Sequence, residues 1–404
     1  MLRRFFFQIH WFLGIAASLT LLLIGLSGAA LSFEQEITRL LNPHIFRPAP
    51  KEGERLTYEE ILRAVQQQYP GGRIAAIGIP SKNEFLSVTI QLPNAQGRHR
   101  RKGMSVYVDP YSGEIVSSLV GRGFFSTMTR LHRWLLLDRE TGNQVVAIST
   151  VALIILCLSG VILYYPSLRK NFWAALSVSR KLKKRALLYK LHSAAGIWLL
   201  IPLLFLSLTG LYWSYPWYRE MLYSVMKVEL PARFKAQPAR PSQQPQRQGG
   251  QMSATLEPAF PPQNVAALAE DLDVVLEVSL EAIPDGYSSL VVAFPMKGQV
   301  YNLFYLDKNA RHNREQNELK INANNHAILA HARYEDRGLN EQMMDSMRQV
   351  HSGEFFGLFG RILFFVSSLC MPLFILTGWL LYLNRRNKKR EKLNKKEANG
   401  VALS

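Results

Sequence analysis

Two cysteines in 404 residues exclude a disulfide framework. Both, Cys157 and Cys370, lie inside apolar runs, where a small buried hydrophobe is the expected role. Phosphate-binding loops are missing too: Gly121-Arg122-Gly123 and Gly71-Gly72 are too short for a dinucleotide or P-loop fingerprint. There is no Gly-x-Ser-x-Gly elbow and no His-Glu-x-x-His pair, so hydrolase chemistry has no support. Charge is absent from four long stretches, Phe5–Phe33, Thr141–Leu168, Leu191–Tyr218 and Ile362–Asn384. A membrane-crossing helix needs about 20 predominantly apolar residues, so each stretch is long enough. A purely cytosolic enzyme is thereby excluded.

What charge there is gives a formal net of +18, and its placement argues against a nucleic-acid partner. Between the second and third runs stand Arg169, Lys170, Arg180, Lys181, Lys183, Lys184, Arg185 and Lys190, with no acid among them. The tail after the fourth run is equally basic, and Arg3 and Arg4 precede the first. Short flanks rich in Lys and Arg stay in the cytoplasm. The expected layout is therefore four transmembrane helices, 1–33, 141–168, 191–218 and 362–384, with both termini cytoplasmic. A basic loop, 169–190, and a basic tail, 385–404, lie inside; two large segments, 34–140 and 219–361, lie outside. The first run is longer than the ~7–15 residues of a signal-peptide core, so it is expected to be retained although Ser27-Gly28-Ala29 resembles a cleavage site.

The outer segments read as two small α+β units. Thr57 and Glu60 form a capping-box pattern that predicts a helix over 57–69, ended by Pro70-Gly71-Gly72. Strands are expected at 73–79, 84–92, 104–109 and 114–118, with a turn at Pro110-Tyr111-Ser112-Gly113. In the second segment 235–263 is rich in Pro, Gln, Arg and Gly and reads as a flexible insert. A helix near 263–271 and strands near 273–281, 287–294 and 299–307 follow. Val106-Tyr107-Val108-Asp109 and Phe304-Tyr305-Leu306-Asp307 look like matching strand ends.

The spans repeat as well. His10, Gly14 and Gly28 in the first run match His192, Gly196 and Gly210 in the third. The second run ends with Ser159-Gly160 before Val161-Ile162-Leu163-Tyr164, the fourth with Thr377-Gly378 before Trp379-Leu380-Leu381-Tyr382, and His132 and His351 precede those glycines at similar distances. Two parallel-repeat halves follow, each consisting of a span, an outer unit and a span. His10 and His192 sit at the cytoplasmic ends of their spans, His132 and His351 outside the outer ends of theirs. Ionisable residues at membrane depth are costly and usually functional. Two matched histidines across a pseudo-twofold axis suit the two axial ligands of one metal. A residue four positions on shares the helix face, so Gly14 and Gly196 leave space beside each histidine for a flat macrocycle such as haem. The +18 spacing amounts to five turns at 3.6 residues per turn. It puts Gly28 and Gly210 on the histidine face near the outer leaflet, where a second flat cofactor would fit with His132 and His351 as ligands.

The same glycines are compatible with ordinary close helix packing. The outer histidines can lie on the spans or on interfacial helices, because Thr141-Gly142-Asn143 and Gly353, Gly357 and Gly360 can break the helices. Arg133 and Arg361 suit either haem propionates or lipid headgroups. His326 and His331, five residues apart, make a poor single-face metal pair and read as surface histidines. His44, His99 and His312 stand in polar contexts. Tyr212, Trp213, Tyr215, Trp217 and Tyr218 form an interfacial aromatic belt that can also flank an electron path.

The pattern Gln8-Ile9-His10-Trp11…Gly14, Leu131-His132-Arg133, Lys190-Leu191-His192…Gly196 and His351-Ser352-Gly353…Gly360-Arg361 resembles the PepSY-associated transmembrane family. Val106-Tyr107-Val108-Asp109-Pro110-Tyr111-Ser112-Gly113-Glu114-Ile115 is similar to the PepSY module itself. The likeness spans nearly the whole chain apart from the insert and the tail. It implies an inner-membrane ferric-siderophore reductase of a Gram-negative bacterium, with two b-type haems carrying electrons to the periplasm. The haem ligands would be His10 with His192 and His132 with His351. No cytoplasmic flavin or nicotinamide domain is visible, so a separate cytoplasmic reductase or a membrane quinol would be the donor. The other reading is a membrane-anchored PepSY binding or regulatory module without redox activity, linked to peptidase regulation. An iron or haem transporter is a third, although no charge interrupts the spans to mark a path.

Overall fold

The computed structural model describes residues 1–47, 53–92, 103–179, 181–232, 234, 260, 263–295 and 299–401. All of the expected insert 235–263 except 260 and 263 lies outside the described residues, as does His99. The chain forms two units: a helical one, Met1–Glu34, Gly123–Met226 and Ser346–Ser404, and a sheet-containing one, Gln35–Arg122 and Lys227–Asp345. Residues 123–140, 219–226 and 346–361, expected in the outer segments, thus belong to the helical unit.

In the helical unit Arg139–Lys170 and Glu354–Glu391 are each long and apolar enough to cross a membrane. Two bent pairs, Leu2–Ala16 with Ser18–Leu31 (64°) and Lys184–Trp198 with Leu200–Ser214 (61°), bring the candidate spans to four if each pair is one span. The bends fall at matching positions, Ala17 and Leu199, both near φ −95° and ψ 0°. Each lies seven residues after its histidine. Their causes differ. Pro202 follows Leu199 and cannot donate to the carbonyl four residues back. At Ala17 the hydroxyls of Ser18 and Thr20 bond the carbonyls of Ile15 and Ala17, a local competition with the helix ladder. Side chains are sorted inside out. Leu19, Ile148, Ile201 and Phe359 are exposed, whereas Ser27, Ser159, Ser207 and Ser367 are buried. That is the arrangement an apolar solvent selects.

The other unit contains one antiparallel sheet: β1 (Arg73–Pro80), β2 (Leu86–Gln91), β3 (Met104–Val108), β4 (Ile115–Val116), β5 (Tyr287–Ala293), β6 (Val300–Asp307), β7 (Gln316–Asn322) and β8 (Ile328–Ala332). Its order is β4-β3-β2-β1-β5-β6-β7-β8. Two similar halves therefore meet at β1 and β5, paired from Ala76↔Ala293 to Pro80↔Ser289. The two separate α+β units expected from sequence are in fact one continuous sheet, and the pairing removes an open edge from each half. The Tyr58–Gln68 helix opens with the expected capping box: Glu60 N–H donates to the Thr57 hydroxyl, and Thr57 N–H to the Glu60 carboxylate. Its buried Ile61, Leu62 and Val65 join a core that also contains Ile77, Val88, Leu272, Leu290, Leu303 and Leu319.

Two sequence expectations need correction. Residues 273–281 are not a strand but part of the Val265–Ala282 helix, whose buried Ala269, Leu272, Val275, Leu276 and Ser279 follow a helical period. Asn264 caps that helix by accepting from Ala267 N–H at 3.3 Å. The strand ends taken as matching do not correspond either: Val106–Val108 lie on the third strand of their half and Phe304–Asp307 on the second. The half beginning at Val265 continues into β7 and β8, so the repeat is a helix and four strands.

Candidate functional site

The four histidines of the helical unit come together as two pairs. His10, on Leu2–Ala16, and His192, on Lys184–Trp198, have ring centroids 6.2 Å apart with planes 78° apart. His132 and His351 are also 6.2 Å apart, at 58°. The outer pair sits on helices distinct from the long spans, Arg122–Trp134 and Met347–Ser352, which resolves where these residues lie. Both helices end within two residues of the histidine and pass into left-handed backbone. Leu135 (φ 53°) and Leu136 (φ 60°) follow one, Gly353 (φ 84°) the other. A Cβ at Gly353 would fall 2.5 Å from the Gly360 carbonyl oxygen, so only glycine fits that turn.

Each imidazole is held through Nδ1. His10 Nδ1 lies 2.9 Å from Ser159 Oγ, His192 Nδ1 2.8 Å from Thr377 Oγ1 and His351 Nδ1 2.8 Å from Thr209 Oγ1. His132 Nδ1 lies 2.9 Å from the Ile24 carbonyl and 3.3 Å from Ser27 Oγ. Every one of these hydroxyls is followed by a glycine that backs the same ring. A Cβ at Gly28 would stand 3.0 Å from His132 Cε1, at Gly160 3.4 Å from His10 Cε1, at Gly210 3.5 Å from His351 Cε1 and at Gly378 3.8 Å from His192 Cε1. Four Ser/Thr-Gly dipeptides, one on each candidate span, therefore seat four histidines. In sequence Ser159-Gly160 and Thr377-Gly378 stand out as matching run ends, but nothing there gives the hydroxyls a role. The signal is a Ser/Thr-Gly dipeptide present in every apolar run, twice in the second.

Gly28 and Gly210 were expected to make room for a flat group facing the outer leaflet; they make room for the rings of His132 and His351. The five-turn count that placed them assumed an unbroken helix, and both helices bend in between. Gly14 and Gly196 face Leu156 Cδ2 and Phe374 Cε1, where a Cβ would meet them at 3.7 and 3.8 Å, ordinary contact distances. Between the two levels an apolar layer of Ala17, Leu21, Ala152, Leu199, Leu203 and Met371 closes the bundle.

Aromatic rings flank the pairs. Phe374 meets His192 edge-on at 5.6 Å and Trp213 meets His351 at 5.3 Å. Within the expected aromatic belt Tyr212 and Tyr218 are buried and Trp217 is exposed. Arg361 Nε donates to the Ser32 carbonyl at 2.7 Å, with its guanidinium 4.6 Å from the Phe33 centroid. The Arg133 guanidinium lies 4.8 Å from the Trp134 centroid. Both arginines thus have contacts at the outer-histidine end.

The remaining described histidines lie in the sheet-containing unit. His331 Nε2 is 2.7 Å from Tyr305 OH, and His326 Nε2 is 3.5 Å from Asp271 Oδ1. His44 meets Phe85 edge-on at 6.5 Å. His312, unremarkable in sequence, is buried against Tyr334, and burial pushes its imidazole below the ordinary value. Among the described residues no group of three or more His, Cys, Asp or Glu could hold a metal ion.

The family profile of the PepSY-associated TM region matches residues 7–385, and the chain belongs to that family. It is a membrane protein of the PepSY-associated class. No curated protein matches it.

Proposed function

We propose that the protein is a di-haem electron carrier of the bacterial inner membrane that reduces ferric iron held in a siderophore outside the membrane, so that the iron is released. The observation that carries this reading is the pair of histidine pairs. A metal–imidazole bond of about 2 Å sets two opposed nitrogens about 4 Å apart, and adding roughly 1 Å to each ring centre gives about 6 Å. Both pairs have that separation. The donor set points the same way. Each site offers two imidazoles and no further ligand, too few for a structural metal ion but the number needed by an iron already held by four porphyrin nitrogens.

Haem b, when bound, would supply a one-electron Fe(III)/Fe(II) couple, and holding it by two histidines would favour electron transfer over oxygen binding. The chain's own residues do the rest. His10 and His192 would hold the group at the cytoplasmic level, His132 and His351 the one at the outer level. The apolar layer between Ala17 and Met371 keeps water out of the interval. Gly28, Gly160 and Gly210 let the rings seat tightly on the spans, while Arg133 and Arg361 stand near the outer pair as partners for carboxylates. The basic flanks support a periplasmic side for the sheet-containing segments, where a chelate of hard oxygen ligands would be met. The donor is a separate cytoplasmic reductase or a quinol.

The test uses purified protein in sealed vesicles, with dithionite inside and a ferric hydroxamate outside. Ferrous iron should appear outside, trapped by an external ferrous-specific chelator, only when wild-type protein is present. His10→Ala and His351→Ala should each abolish it. Equal rates in protein-free vesicles contradict the reading.

A further inference from the structure

The hydrogen-bond network assigns the proton of every paired histidine. A hydroxyl has one proton to give. Ser159 gives its proton to the Ile155 carbonyl at 2.6 Å, Thr209 to Phe205 at 2.7 Å and Thr377 to Leu373 at 2.6 Å, each four residues back along its own helix. The oxygen then has only lone pairs to offer the facing imidazole. Nδ1 of His10, His192 and His351 must therefore be the donor. His132 reaches the same state by another route, because its closest partner is the Ile24 carbonyl, which has no proton at all. In all four residues Nδ1 carries hydrogen and the free lone pair sits on Nε2, which has no hydrogen bond among the described residues.

We propose that Ser159, Thr377 and Thr209, together with the Ile24 carbonyl, are positioning groups that lock the histidines as Nε2 ligands and set their donor strength. The inference rests on the haem reading above. Accepting a bond from Nδ1–H makes an imidazole a stronger donor and fixes its ring plane. A stronger axial donor favours ferric iron, so these bonds hold the potential of each haem down. His10 and His192 each face a hydroxyl with a peptide carbonyl beside it, Leu156 and Phe374, whereas His351 faces the Thr209 hydroxyl and His132 mainly the Ile24 carbonyl. The groups are thus unequal under substitution: Thr209 is the hydroxyl partner of His351, His192 has the Phe374 carbonyl beside Thr377, and Ser27 at 3.3 Å only supplements Ile24.

The experiment is a potentiometric titration of the purified protein, with the rate of haem transfer to apomyoglobin as second readout, for T209V, T377V, T209S and T377S. Valine keeps threonine's shape and removes only the hydroxyl. T209V should raise the midpoint potential of one haem and weaken its retention about 10–100-fold; T377V, with the Phe374 carbonyl still facing His192, should shift the other haem in the same direction by less. T209S and T377S should restore wild-type values. Absence of haem from the wild-type protein overturns the parent reading. Two haems in the wild type, with potentials and retention unmoved by T209V and T377V, overturn this inference alone. So does a shift in T209S or T377S as large as in the valine variant.

Discussion

At the residue scale the site rests on small side chains beside large ones. The glycine after each hydroxyl is not equally constrained. At Gly28 an added Cβ lies 3.0 Å from His132 Cε1 and 3.3 Å from Nδ1, so the ring has to move by a few tenths of an ångström. At Gly378 the nearest approach is 3.8 Å, an ordinary contact. Gly28→Ala should therefore displace His132 and loosen the outer haem. Gly378→Ala should keep both haems and raise thermal stability by up to about 1 kcal/mol through helix propensity. Haem retention and melting of the two variants check this, and equal retention would contradict it. The histidines and glycines were legible in the sequence because they recur in matched runs. The hydroxyls were not, because serine and threonine inside an apolar helix ordinarily bond their own backbone. Here they do that and accept from a histidine as well.

At the element scale, local chemistry was read most reliably where it is self-contained. The Thr57–Glu60 capping box needs only four residues, and the helix starts where it predicts. Thr57→Ala should cost about 1 kcal/mol in unfolding of the sheet-containing unit. The bonds from Thr57 N–H and its hydroxyl hold the Glu60 carboxyl below the usual carboxylate range. A depressed folded value means that this stabilisation is complete above the unfolded-state value and is lost as pH falls through the folded one. Thr57→Ala should thus narrow the stability gap between neutral and acidic pH, measured by urea unfolding. An unchanged pH profile would contradict the assignment. Residues 273–281 were misread because Asp273-Val274-Val275-Leu276-Glu277-Val278 is rich in β-branched residues over a short window. Burial along the full 18-residue helix follows the helical period instead.

At the scale of the whole molecule, duplication was legible and the joining of the repeats was not. A sheet formed by antiparallel pairing of Ile77 with Val292 links segments about 200 residues apart, which leaves no local trace in the sequence. The consequence is one shared core. Leu272→Ala, at a fully buried position, should cost about 2–5 kcal/mol. It should also lower hydrogen-exchange protection in β1–β3 as much as in β5–β7; loss confined to β5–β7 would show two independent halves. In the helical unit the same duplication yields two histidine pairs of equal separation. The central claim is that each pair holds one haem. Its most direct measurement is a pyridine haemochrome count on protein purified from haem-replete cells, taken with the four single His→Ala variants. The account predicts about two haems per wild-type chain, and about one in each of the His10, His192, His132 and His351 variants. A wild-type protein without Soret absorption, or four variants that all keep the full count, would contradict it.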